Sequence, residues 1–255
     1  MSGWLGYQVR LLLVGIQFLT RIPTPHLPAF EEAWITRATR YFPLVGQIIG
    51  GLCAVVLIAA DQIWSPWIAA ALALAVGVAL TGAFHEDGLA DTADGLGGGL
   101  TPARRLEIMK DSRIGTYGAV TLVLALTLKI LALSDMPVTT AAIALLAAHG
   151  AGRAAAVVVM RLTPYAVAGE SGKWKPTPQG VGTLEMLCAT ALALWPMILL
   201  PGSGVLAGLA GGGTLALVLT LVARRLIGGH TGDVLGAIEQ VFEVGFLLGV
   251  AAVLA

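Results

Sequence analysis

Pro66-Trp-Ile-Ala-Ala-Ala-Leu-Ala-Leu-Ala-Val-Gly-Val-Ala-Leu-Thr-Gly-Ala-Phe84 runs without a charge into His85-Glu-Asp-Gly-Leu-Ala-Asp-Thr-Ala-Asp-Gly95. A helix needs roughly 17–25 mostly apolar residues to cross a bilayer. The first piece has that length, and the second is acidic and glycine-rich. The reading is a transmembrane helix that continues directly into a polar segment at the membrane face. Six further stretches extend it, at about 42–60, 114–133, 138–160, 184–200, 205–223 and 234–254. The composition agrees: 57% of the residues are hydrophobic and 12% charged, against about a quarter charged in a soluble domain.

The expected fold is all-α. It is a polytopic integral membrane helical bundle of about seven transmembrane helices with an N-terminal membrane-associated helix, forming a single domain over 1–255. Six spans with one re-entrant or surface helix is the alternative. The apolar run after Arg10 stops at Arg21-Ile-Pro-Thr-Pro25 without a small-x-small cleavage signal, so it is read as staying on the protein. Gly46, Gly50 and Gly211 to Gly213 suit close helix packing in lipid. Cys53 and Cys188 lie in apolar runs and form no metal or disulfide pattern.

Charge is distributed unevenly. Of the fifteen Lys and Arg residues, only Lys129 and Arg153 fall inside the spans. The others lie in 1–41, 85–113, 161–183 and 224–233, while the connections at 61–65, 134–137 and 201–204 hold none. The positive-inside rule places the N-terminus and the basic segments in the cytoplasm and the C-terminus outside. The net charge is zero, and nothing points to nucleic acid.

Within the acidic segment, Asp87, Asp91 and Asp94 are spaced i, i+4, i+7. On a helix they fall within about 60° of one another, over about 10 Å of axis. Three carboxylates on one stripe repel each other, and a hard cation such as Mg2+ relieves that repulsion. Gly88 and Gly95 follow two of them and allow phosphate or a neighbouring backbone to come close. His85 and Glu86 are candidates for acid–base or supporting roles. A merely solvated acidic face is the competing reading.

Past the glycines at 97–99, Thr101-Pro102 reads as a helix start. The chain then reaches Lys110-Asp-Ser-Arg-Ile-Gly-Thr-Tyr-Gly118, and the glycine run lets this segment return to the acidic one. Lys110 and Arg113 are candidate phosphate clamps, with Ser112 and Thr116 as added donors. Arg104 and Arg105 are explained by topology alone. Before the last span, Gly228-Gly-His-Thr-Gly-Asp233 offers His230 and Asp233 for substrate, phosphate or metal. Glu239 and Glu243 lie inside that span, where ionisable groups are expensive. They either hold a cation or polar substrate, or pair with Arg residues of neighbouring spans. Arg153, one turn after His149, either binds an anionic substrate or is that partner. Arg21 and the loop from Tyr165 to Lys175 are further contacts with weaker support. The polar, active segments are thus about 85–118 and 224–243.

Carboxylates, a divalent metal and basic clamps at one face suit chemistry on a diphosphate. No GxxxxGK[ST] loop and no Ser-His-Asp arrangement is present. The residues alone lead to a membrane phosphotransferase.

Five blocks carry a family resemblance: Phe18-Leu-Thr-Arg-Ile-Pro-Thr-Pro25, Tyr41-Phe-Pro-Leu-Val-Gly46, Phe84 to Leu96, Ile108-Met-Lys-Asp-Ser-Arg-Ile-Gly-Thr-Tyr-Gly118 and Gly229-His-Thr-Gly-Asp-Val-Leu-Gly236. With them the chain resembles the cobalamin synthases, also called adenosylcobinamide-GDP ribazoletransferases. The resemblance implies transfer between adenosylcobinamide-GDP and α-ribazole or its 5′-phosphate, giving adenosylcobalamin or its phosphate plus GMP. It implies Mg2+ on Asp87, Asp91 and Asp94, and phosphate on Lys110 and Arg113. His85, Glu86 and Asp233 become candidates for the base or further ligands. A bacterial inner-membrane location, lipid contact, and self-association or assembly with other cobamide-assembly enzymes fit the same picture.

The runner-up is a CDP-alcohol-type phosphotransferase of lipid synthesis. Asp91-x2-Asp94-Gly95 matches the start of its pattern, but Gly98 and Gly99 stand where Ala-Arg should be. A transporter using Glu239, Glu243 and Arg153 would leave the charged loops unexplained.

Overall fold

A computed structural model describes residues 3–25, 31–166, 178 and 180–255. Among them are eleven α-helices and no β-strand. Two helices lie at the N-terminus, α1 (Trp4–Leu19) and α2 (Glu32–Ala38). The bundle follows with α3 (Phe42–Asp61), α4 (Pro66–Thr81), α5 (Phe84–Gly98), α6 (Pro102–Ile108) and α7 (Thr116–Asp135). It is completed by α8 (Val138–Leu162), α9 (Thr183–Leu194), α10 (Gly202–Ile227) and α11 (Gly232–Leu254). The protein is a multi-pass, all-α membrane protein.

The span count differs from seven. Five helical units are long and apolar enough to cross a bilayer: Ala33–Asp61, α7, α8, α10 and α11. The bent pair α4 and α5 raises the number to six, which is the alternative stated above. The stretch 184–200 falls short. Its helix α9 gives way to a 3-10 turn at Trp195–Leu199, where Pro196 has no N–H to continue the α-helical ladder.

The second correction concerns Phe84. The chain does not continue straight from α4 into the acidic segment; it turns by 90° between them. Gly82 (φ 66) and Ala83 (φ 58) are both left-handed. Glycine takes that conformation freely, whereas for alanine it costs about 1–2 kcal/mol. The turn is braced by Arg21, whose backbone N–H donates to Leu80 O at 2.7 Å. A Cβ on Gly82 would lie 2.4 Å from Arg21 Nε. The acidic helix therefore crosses the end of the bundle instead of extending it.

At the centre is α11, packed against α10, α5, α8 and α7. Small residues set the closest approaches. A Cβ on Gly46 would lie 2.3 Å from His149 O, and one on Gly211 would lie 2.2 Å from Gly245 O. The pairs α3–α8 and α10–α11 thus pack backbone to backbone, as glycine allows in lipid. Val120, Val123 and Leu124 of α7 and Leu206, Leu217 and Leu221 of α10 remain exposed and present apolar surface to the bilayer. The helix α1 is fastened to the protein. Arg10 sits over the Trp34 ring at 4.9 Å, and Arg37 donates to Tyr7 Oη at 2.8 Å.

Candidate active site

The helix α5 carries the three aspartates, and they have different surroundings. Asp87 is exposed, Asp91 half-buried and Asp94 buried. Asp94 Oδ2 accepts from Gly115 N at 2.7 Å and Oδ1 accepts from Gly118 N at 2.9 Å. Gly115 immediately precedes α7 and Gly118 lies in its first turn, where N–H groups have no partner within the helix. Asp94 therefore caps α7 from another helix, with its charge at the positive end of the helix dipole. A Cβ on Gly118 would lie 2.4 Å from Asp94 Oδ2. Glycine is required there for the carboxylate to reach the backbone.

This contact holds the basic segment against α5, the reversal expected from the glycine run. Thr101 caps α6, accepting from Arg104 N at 3.3 Å, and Pro102 stands in its first turn. Gly95 allows α6 to pack closely, since a Cβ there would lie 2.8 Å from Arg105 O. Lys110, Ser112, Arg113 and Thr116 are all exposed. The Arg113 guanidinium donates to Asp111, 2.6 Å from Nη2 to Oδ2, and this hydrogen bond draws the Asp111 carboxyl down to about 2.

Behind α5 lies a buried ionic network. Glu239 Oε2 is 2.8 Å from His85 Nε2, and its Oε1 is 2.7 Å from Arg153 Nη1. Glu243 Oε2 is 2.6 Å from Lys129 Nζ, and its Oε1 is 2.9 Å from His149 Nδ1. Lys129 also donates to Gln240 Oε1 at 2.7 Å, and Gln240 Nε2 donates to Glu86 Oε1 at 3.2 Å. Of the two readings of Glu239 and Glu243, the structure favours ion pairing. His149, Glu239 and Glu243 do bring ligand atoms within 4.8 Å of one another. Lys129 and Arg153 already neutralise both carboxylates there, so a divalent cation would meet two fixed positive charges. Glu86 faces this network instead of the main cavity. It lines a small cavity of about 20 Å3 with Lys129 and Gln240, room for about one water.

In front of the network is the main cavity, about 300 Å3. Its polar lining comprises Gln17, His85, Asp87, Arg153, Asp233 and Glu239, and its apolar lining includes Phe18, Phe42, Phe84, Ala156, Met160 and Leu235. Phe18 stacks on Phe42 with centroids 5.7 Å apart and meets Phe84 edge-on, also at 5.7 Å. The start of α11 comes close because Gly88 leaves room; a Cβ there would lie 2.8 Å from Asp233 O. Glycine here admits a neighbouring backbone, one of the two uses read from the sequence.

His230 sits apart from this cavity's lining. Its backbone pairs with the 163–166 segment: His230 N donates to Pro164 O at 3.0 Å, and Ala166 N donates to His230 O at 2.8 Å. Its ring is 2.7 Å from Thr163 Oγ1. Burial pushes its pKa down to about 4, so the ring is neutral near pH 7. Residues 167–175 of the loop from Tyr165 to Lys175 lie outside the described residues.

The site thus unites His85, Asp87, Arg153 and Asp233 around one cavity, with Asp94 tying Gly115 and Gly118 to α5. Phe18 and Phe42 were not anticipated as site residues, because a phenylalanine in an apolar run reads as core. Lys129 and Gln240 did carry a signal, as polar groups within apolar spans.

The donors suit a hard cation at Asp87 and Asp91, which offer carboxylate oxygens at or near the surface. Mg2+ takes oxygens at about 2.0–2.1 Å, whereas the full stripe spans about 10 Å of helix axis. One ion therefore does not reach all three aspartates, and the oxygens of Asp94 already accept backbone amides.

A family model for cobalamin-5-phosphate synthase matches residues 11–251. An adenosylcobinamide-GDP ribazoletransferase of Leptothrix cholodnii is 43% identical over 95% of both chains. One of Vibrio cholerae is 39% identical over 96% of this chain and 94% of its own. Another, of Shewanella putrefaciens, is 41% identical over 93% of this chain and 92% of its own. No solved structure matches. With the family model spanning nearly the whole chain, this protein belongs to the cobalamin-5-phosphate synthase family.

Proposed function

We propose that the protein carries out the reaction for which its relatives are named. It joins adenosylcobinamide-GDP to α-ribazole or its 5′-phosphate, giving adenosylcobalamin or its phosphate and GMP. The observation that carries this reading is the cavity itself. Asp87 of α5 and Asp233 at the start of α11 line it, and Asp94 of the same α5 holds Gly115 and Gly118 just after the basic segment.

The ribazole hydroxyl attacks the phosphorus joined to the cobinamide. A new P–O bond forms and the phosphoanhydride bond breaks, so GMP leaves with the bridging oxygen. The hydroxyl proton passes to a carboxylate at the cavity, and Asp233 is the one not needed for a cation. Asp87 and Asp91 would hold Mg2+, which when bound would supply charge neutralisation to the diphosphate. Lys110 and Arg113 take phosphate oxygens, and Ser112 and Thr116 add hydroxyl donors from the same exposed segment. Asp94 acts indirectly by fixing that segment. Arg153 and Glu239 hold His85 at the cavity wall. The Lys and Arg residues concentrated in the basic segments support a cytoplasmic position for this face in a bacterial inner membrane.

The test is to incubate the detergent-purified chain with adenosylcobinamide-GDP, α-ribazole and Mg2+, then separate the products. GMP and a cobamide in equal amounts are expected. Substrates recovered intact, from folded protein, would overturn the reading.

A further inference from the structure

The main cavity has a chemical character that the reaction alone does not explain. One wall is aromatic: Phe18 and Phe84 meet edge-on at 77°, from helices far apart in sequence. Phe84 is partly exposed at 38%, although a core phenylalanine would be covered. The floor is polar: Glu239 bridges His85 and Arg153, and Gln17, Asp87 and Asp233 complete the polar lining.

Both substrates contain flat heterocycles, and the lining discriminates between them. The corrin macrocycle with its amide side chains is far larger than a cavity of about 300 Å3. Guanine fits by size, but its edge carries several donors and acceptors that an apolar wall would leave unpaired, at a cost. The benzimidazole of α-ribazole has a hydrocarbon edge, two stacking faces and one ring nitrogen with a free lone pair. It matches an aromatic wall. We infer that this cavity is the α-ribazole subsite, with the base against Phe18 and Phe84 and the ribose toward Asp87 and Asp233. The corrinoid and its guanosine stay outside, over the exposed 110–116 segment. The inference rests on the proposed reaction for the identity of the ligand.

Equilibrium dialysis of α-ribazole against the full chain in detergent, with no corrinoid present, tests it. Saturable binding is expected. Phe84→Ala should weaken it roughly tenfold, the scale of lost base–aromatic stacking, and Phe84→Trp should restore it. Ala156→Phe, which fills the cavity, should abolish it. In turnover the KM for α-ribazole should rise with Phe84→Ala, while that for adenosylcobinamide-GDP stays put. Three results would overturn the subsite: no binding by the wild type, binding indifferent to Phe84, or GMP competing for the same Phe84-dependent site. Phospholipid that co-purifies with the wild type and is lost in Ala156→Phe, with α-ribazole binding unmoved, would show a lipid tail there instead. Binding without transfer would leave the subsite standing and remove the proposed reaction, so the two failures are distinguishable.

Discussion

The rim of the cavity and the network behind it use the same residue types for opposite ends. Behind the cavity, Lys129, Arg153, Glu239 and Glu243 are all buried and each meets an opposite charge within 2.7 Å. At the cavity Asp87 is exposed, and in the segment that follows α6 Lys110 and Arg113 are exposed too, Arg113 paired with its near neighbour Asp111. In a low-dielectric interior an uncompensated charge is costly, so evolution keeps such groups paired and in fixed geometry. A saturated network has little affinity left for a ligand. An exposed rim can still exchange water and neighbours for a diphosphate and its cation. Burial, more than residue type, separates scaffold from site.

Mutations can break that contrast. The largest expected effect is at the rim. Asp91→Asn should lower turnover about 10^2–10^3-fold, the scale of losing one transition-state electrostatic group, with the unfolding midpoint unchanged. Turnover with purified substrates and a thermal unfolding scan in the same detergent check both halves. Within the network the pattern should reverse. Glu243→Leu strands Lys129 and should cost about 3–5 kcal/mol of stability, read from denaturant unfolding. Pairing it with Lys129→Met should cost less than the two single changes added together.

Asp94→Asn sharpens the boundary, because Asp94 lies on the rim helix yet behaves as scaffold. An amide NH2 would face Gly115 N or Gly118 N, and the expected loss is about 1–3 kcal/mol. Turnover should fall along with stability. The smallest effect concerns His230. Its folded pKa of about 4 lies below the ordinary 6.5, so folding favours the neutral ring. That contribution is complete above pH 6.5 and is lost as the pH falls toward 4. His230→Gln should flatten the part of the acid destabilisation that falls in this window, seen as unfolding midpoints measured on either side of it.

Much of this was legible in the sequence because it is local. The spacing of Asp87, Asp91 and Asp94 set a stripe on one helix, Thr101-Pro102 marked a helix start, and apolar length marked most of the spans. What was not legible depends on distant partners. The 90° turn before Phe84 uses Ala83 in a left-handed conformation, which nothing about alanine announces. The partners of Asp94 lie more than twenty residues away, on a helix whose approach is set by packing. Glu239 and Glu243 admitted two readings until Arg153 and Lys129 were seen beside them. The aromatic wall assembles Phe18, Phe42 and Phe84 from three helices, and no single stretch shows it.

The division of labour among the three aspartates is tested most directly by titrating GMP release with Mg2+ in the wild type, Asp91→Asn and Asp94→Asn. The expected result is an apparent Mg2+ midpoint that rises sharply in Asp91→Asn and stays at the wild-type value in Asp94→Asn, even as the latter loses rate. Midpoints that shift together in both variants, or in neither, would contradict it.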